Sequence, residues 1–142
     1  MSWFPKKKIV VPVDFSDDSF EAVEVALSLA DNASHLHVVH VLQDVTAGQP
    51  GMLFNVLDEA ERRDQAKQAL VERFSETKYG GIAIHVSFGD PGQIVTEFAE
   101  KIAAELILLP SHGRTGIKRL LIGSVAERIT RLAHCPVLIL RG

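Results

Sequence analysis

Short apolar runs rich in β-branched residues alternate along this chain with segments whose apolar positions recur every three or four residues. The runs at 8–13, 36–42, 82–88, 106–109 and 136–140 are continuous rather than alternating, the pattern of strands covered on both faces in a parallel sheet. Between them, Phe20, Val23, Leu27 and Ala30 predict a first helix behind Ser16 as its cap, with Asp17 and Asp18 in its first turn. Leu53, Val56, Leu57 and Ala60, then Ala66, Leu70 and Phe74, predict a second helix that stops at Gly80 and Gly81. Asp90-Pro91-Gly92-Gln93 predicts the start of a third. The acid caps, proline takes the first helical position, and Gln93 reaches back in a capping box, with Ile94, Phe98 and Ile102 on the inner face. Ser124-Val125-Ala126-Glu127 repeats the capping pattern for a fourth, which turns Val125, Ile129 and Leu132 inward. The order β-α-β-α-β-α-β-α-β implies right-handed crossovers and an α/β fold: a three-layer α/β/α open sheet of five parallel strands with four helices. No repeat or linker interrupts it, so residues 1–142 are expected to form one domain, with 46–51 as a loop.

Composition agrees with a packed domain. Of 142 residues, 46% are hydrophobic and 23% charged, too apolar for a disordered chain, and the mean hydropathy is +0.14. Fifteen Lys and Arg against eighteen Asp and Glu leave a net charge of −3, which argues against a nucleic-acid partner. Lys6, Lys7 and Lys8 read as a solvated cluster. The apolar run from Ile9 ends at Asp14, too short for a signal-peptide core or a membrane span, so a cytoplasmic protein without a membrane partner is expected. The single cysteine, Cys135, has no internal disulfide partner and reads as core packing. His35 and His37 share one face of the second strand and His40 the other, without cysteines or carboxylates at metal-ligand spacing; no metal site is expected.

The connection between the fourth strand and the fourth helix carries the chemistry. It runs from Ser111 to Gly123 with Gly113, Gly116 and Gly123, the cations Arg114, Lys118 and Arg119, and no acid. Glycines let backbone N–H groups approach a ligand closely, and successive N–H groups form an anion-binding nest. The loop then delivers Gly123-Ser124 to a helix N-terminus, which favours phosphate oxygens. Asp14 ends the first strand and faces the same crevice if strands one and four are neighbours, within reach of a ribose hydroxyl or a phosphate-bound metal. Together these point to a nucleotide or another phosphorylated small molecule. The same glycines could simply turn the chain, and neither a G-x-G-x-x-G after the first strand nor a Walker-type loop is present.

At these residues the chain resembles the universal stress protein family over essentially its whole length. The segments that carry the likeness are Ile9-Val10-Val11-Pro12-Val13-Asp14-Phe15-Ser16, Gly89-Asp90-Pro91, the stretch 111–127, and Cys135-Pro136-Val137-Leu138-Ile139. The resemblance implies a sheet of order 3-2-1-4-5 and a homodimer paired through the last strand, 136–140, an apolar edge that calls for covering in any case. ATP-binding members carry the motif G-x2-G-x9-G followed by Ser or Thr. Gly113, nine residues, then Gly123-Ser124 match its second half, whereas Pro110 stands at the first glycine. Proline has no N–H to donate and its ring fills space near the ribose, so weaker binding is expected there.

By position, the resemblance puts Pro12, Val13 and Asp14 near adenine and ribose, and Val41 at the adenine through its backbone. It puts Ser111, His112, Gly113, Arg114 and Gly116 on the phosphate loop, with Gly123, Ser124 and Val125 at the helix start. It implies an adenine-nucleotide (ATP) binding homodimeric regulator of the stress response, with Mg²⁺ on the phosphates. The alternative is a dimeric stress-response module that no longer binds nucleotide and acts through protein contacts. No residue offers itself as a general base and the nucleophile elbow G-x-S-x-G is missing, so at most slow ATP hydrolysis is expected.

Overall fold

In the computed structural model, which describes residues 3–43, 52–111 and 122–141 (of 52–57 the backbone), the five apolar runs become five strands. In chain order the elements are β1 (Ile9–Pro12), α1 (Asp17–Leu29), β2 (Leu36–Leu42), α2 (Met52–Arg73), β3 (Ala83–Phe88), α3 (Pro91–Lys101), β4 (Leu106–Pro110), α4 (Ser124–Leu132) and β5 (Val137–Leu140). Single 3-10 turns at Ala33–His35 and Thr77–Tyr79 lead into β2 and β3. All pairings are parallel, and the strand order is β3-β2-β1-β4-β5, the α/β arrangement that the alternation and the family resemblance imply.

The continuous apolar runs have the expected cause. Ile9 and Val11 turn to α1 and α2, against Phe20, Val23, Leu70 and Phe74. Val10 and Ile107 turn to α3 and α4, against Val95, Ala99, Ala126 and Ile129. Both faces of the central strands are therefore dry, while the edge strands β3 and β5 are half-buried. Among the described residues no helix is long and apolar enough to cross a membrane.

Local departures from the sequence reading have local reasons. Ser16 caps α1, its Oγ accepting the Ser19 N–H at 3.1 Å, and Asp90 Oδ2 accepts the Gln93 N–H at 2.9 Å. The Gln93 amide, however, donates to Glu97 rather than closing the capping box. α2 ends at Arg73, before Gly80 and Gly81, because the chain tightens into the 3-10 turn that precedes β3. The innermost stripe of α3 is Gly92, Val95, Thr96 and Ala99, with Ile94, Phe98 and Ile102 flanking it half-buried. On α4, Ala126 and Ile129 point inward, whereas Val125 and Leu132 are exposed. The cap of α4 is Gly123, not Ser124. Lys8 is not merely solvated: its Nζ donates to the Ile102 carbonyl at the C-terminal end of α3, a favourable place for a cation.

One feature of the sheet prepares the site. β2 and β3 pair over six positions, but β1 and β4 pair only at Ile9↔Leu106 and Val10↔Ile107. Beyond Val10 the ladder between them ends, at the point where the strand order reverses. Open α/β sheets bind ligands in this kind of crevice.

Candidate functional site

A cleft of about 490 Å³ opens at the carboxyl ends of β1, β2 and β4. Val13, Val39, Val41 and Leu109 give it an apolar lining, and Asp14, Ser111 and the start of α4 supply polar groups at its rim. This volume lies within the range of about 300–1,000 Å³ usual for small-molecule sites.

The wall from β1 is a tied turn. Asp14 Oδ1 accepts both the N–H and the hydroxyl of Ser16. Ser19 Oγ accepts the Asp14 N–H at 3.3 Å and donates to the Ser16 carbonyl at 2.8 Å. Between them Phe15 has φ +66°, a left-handed conformation uncommon for a residue with a side chain. Phe15 meets the buried His40 edge-on, ring centroids 4.8 Å apart. His40 Nδ1 lies 2.8 Å from the Val13 carbonyl oxygen; a carbonyl only accepts, so Nδ1 carries the proton.

The opposite wall joins β4 to α4. Ser111 donates its N–H to Leu140 at 2.8 Å, and its carbonyl accepts the Gly123 N–H at 2.7 Å. The first bond inside α4 runs from the Glu127 N–H to the Gly123 carbonyl. The N–H groups of Ser124, Val125 and Ala126 precede it and have no carbonyl of their own helix to meet. They sit at the positive end of the helix dipole, facing the cleft. Gly123 thus brings the helix close without offering its own N–H.

Pro110 occupies the rim of the cleft. The N–H groups of Ile107 and Ser111 both point to β5, so the nitrogen of Pro110 faces the β1 side, past the last β1–β4 pair. The strand loses no ladder bond there, and the ring narrows the crevice instead.

The structure brings together Pro12, Val13, Asp14, Val41, Ser111, Gly123, Ser124 and Val125 around this one cleft. His112, Gly113, Arg114 and Gly116 lie outside the described residues. Ser19, His40, Gln43 and Pro91 also line the cleft and were not legible as site residues. Ser19 reads as an ordinary first-turn serine, and His40 as one histidine among apolar neighbours. Among the described residues no group of three or more His, Cys, Asp or Glu could hold a metal ion; His37 instead meets His85, Nδ1 to Nε2 3.3 Å. The half-buried Cys135 packs against the α3–α4 core, and burial pushes its thiol pKa up.

A sequence model described as the universal stress protein family matches residues 6–141. The chain belongs to that family. Universal stress protein MJ0531 of Methanocaldococcus jannaschii is 36% identical over 140 residues, covering 95% of this chain and 82% of that protein. The solved universal stress protein UspA from Lactobacillus plantarum superposes with a TM-score of 0.78 at 25% identity, over 96% of this chain and 98% of that one. A universal stress protein solved in complex with cAMP gives a TM-score of 0.60 at 26% identity, over 96% and 98% of the two chains.

Proposed function

We propose that this universal stress protein binds an adenine nucleotide in the cleft between β1 and β4 and acts as a homodimeric regulator of the stress response, paired through β5. The observation that carries the reading is an apolar slot set directly beside a helix N-terminus at the strand-order reversal. The slot formed by Val13, Val41 and Leu109 suits the faces of a purine. Asp14 can accept hydrogen bonds from ribose hydroxyls, and the first N–H groups of α4 suit a phosphate. A relative in this family solved with cAMP supports the choice of adenine among the bases. Asp14 is the one carboxylate among the described residues lining the cleft. Mg²⁺ is commonly held by one or two carboxylates together with substrate phosphates, so a metal would arrive with the nucleotide.

Pro110 favours a second reading, a dimeric module that has given up the nucleotide, because its ring takes room at the rim. Isothermal titration separates the two. Saturable binding of ATP with Mg²⁺, or of cAMP, at one site per chain is expected, and no heat at high micromolar ligand would overturn the nucleotide reading. Ser124→Glu puts a carboxylate at the helix N-terminus, where it suits the dipole but repels phosphate. That variant is expected to melt no lower than the parent and to bind about tenfold more weakly, a loss of about 1.4 kcal/mol. Pro110→Gly is expected to bind more tightly.

A further inference from the structure

We propose that His40 is a positioning residue: it holds the Val13 carbonyl so that the backbone N–H of Val41 is left to face the base of the bound nucleotide. The inference rests on the nucleotide reading above and deepens it.

Val13 donates its N–H to the Val39 carbonyl at 2.9 Å, one step beyond the end of β1. In a regular parallel ladder the next bond runs from the Val41 N–H back to the Val13 carbonyl, because one residue bonds to the two neighbours of its partner. That bond is not made. The Val13 oxygen is taken instead by His40 Nδ1 at 2.8 Å, and the chain turns away through Phe15 at φ +66°.

Val41 therefore keeps a donor pointed to the β1 side of β2, where β1 has ended and the cleft begins, and no partner for it occurs among the described residues. Both Val13 and Val41 line the cleft. An unpaired N–H in an apolar slot costs free energy unless a ligand acceptor meets it. Purine ring nitrogens are acceptors of that kind.

His40 is also an unusual choice at its position. It is 8% exposed on the strand face that carries Leu36 and Val38 into the core. An aliphatic residue would fill such a place if packing were the whole requirement. The edge-on contact with Phe15 fixes the ring, and the ring fixes the carbonyl.

Three proteins test this: the parent, His40→Asn and His40→Phe. Asparagine puts an amide N–H close to the place of Nδ1, while phenylalanine keeps a ring for Phe15 and removes the donor. Two readouts are taken, the Kd for cAMP and for ATP with Mg²⁺ by titration, and the hydrogen exchange of the Val41 amide by NMR without ligand. In the parent and in His40→Asn the Val41 amide is expected to exchange fast and to become protected when nucleotide is added. In His40→Phe the freed Val13 carbonyl is expected to close the ladder, protecting that amide without ligand and weakening binding about tenfold.

A parent that binds nucleotide while His40→Phe binds it equally well overturns the role of His40 alone. So does a folded His40→Asn that binds as weakly as His40→Phe, or a Val41 amide already protected in the ligand-free parent. A parent that takes up neither nucleotide overturns the binding reading and this role with it.

Discussion

Gly92 lies where α3 meets α4, and a methyl group there would stand 2.7 Å from Arg128 Cδ and 2.9 Å from its Cβ. The Arg128 Cβ belongs to the start of its side chain and moves only with the helix. Arg128 also places Nε 3.1 Å from Asp90 Oδ2, a pair half-exposed on both sides and therefore worth little by itself. The cost of filling the space is thus one of overpacking, about 1–3 kcal/mol. Gly92→Ala is expected to lower the unfolding free energy by about that amount, seen as a lower urea midpoint at an unchanged slope; an unchanged midpoint would mean that Arg128 yields freely. Because α4 forms one wall of the cleft, the same variant is expected to weaken nucleotide binding as well.

At the scale of elements, the pairing of β2 with β3 sets up a pH response. Val39 pairs with His85, which puts His37 and His85 diagonally across the two strands, stacked 5.6 Å apart beside Phe98. Burial holds both imidazoles below the usual value of 6.5, with Lys8 adding to the effect at His37, and His37 and Lys67 adding to it at His85. A folded-state pKa below the unfolded one means that the unfolded chain binds protons more readily. The contribution to stability is then complete above the usual histidine value and is lost as pH falls through it. Denaturation midpoints are expected to drop between about pH 7.5 and 5.5, and His85→Phe to flatten that slope.

The strands were legible in the sequence because burial on both faces leaves nearly unbroken apolar runs. Their ends were not, because the partner strand decides where a ladder stops: β1 gives up Lys8 and Val13 from the run. Val125 and Leu132 misled for a related reason. Their spacing matches Ile129, but that side of α4 is only partly covered and both side chains stay exposed. Asp14 and Ser124 could be read as candidate cleft residues because strand ends and helix starts converge in such folds, whereas Val41 came only with the family resemblance. His40 and Ser19 could not, because what they do depends on where β1 lets go of its neighbours.

At the scale of the whole molecule, β5 is an edge. The Pro136 and Leu140 carbonyls accept from β4, so by alternation the N–H groups of Val137 and Ile139 point outward. If two copies pair along this edge, Ile139→Pro removes one of those outward donors without taking a bond from the β4 ladder. It is expected to sediment as a single chain while its far-ultraviolet circular dichroism stays close to that of the parent. A variant that remains dimeric would put the contact on another surface.

The bond from the Gly123 N–H to the Ser111 carbonyl has a consequence of another kind. It ties the residue after β4 directly to the cap of α4 by one backbone bond. Closing a longer span costs only about 0.6 kcal/mol for each doubling of length. Added length between Ser111 and Gly123 is therefore expected to cost the fold little, since the tie at its base shortens the loop that has to be closed.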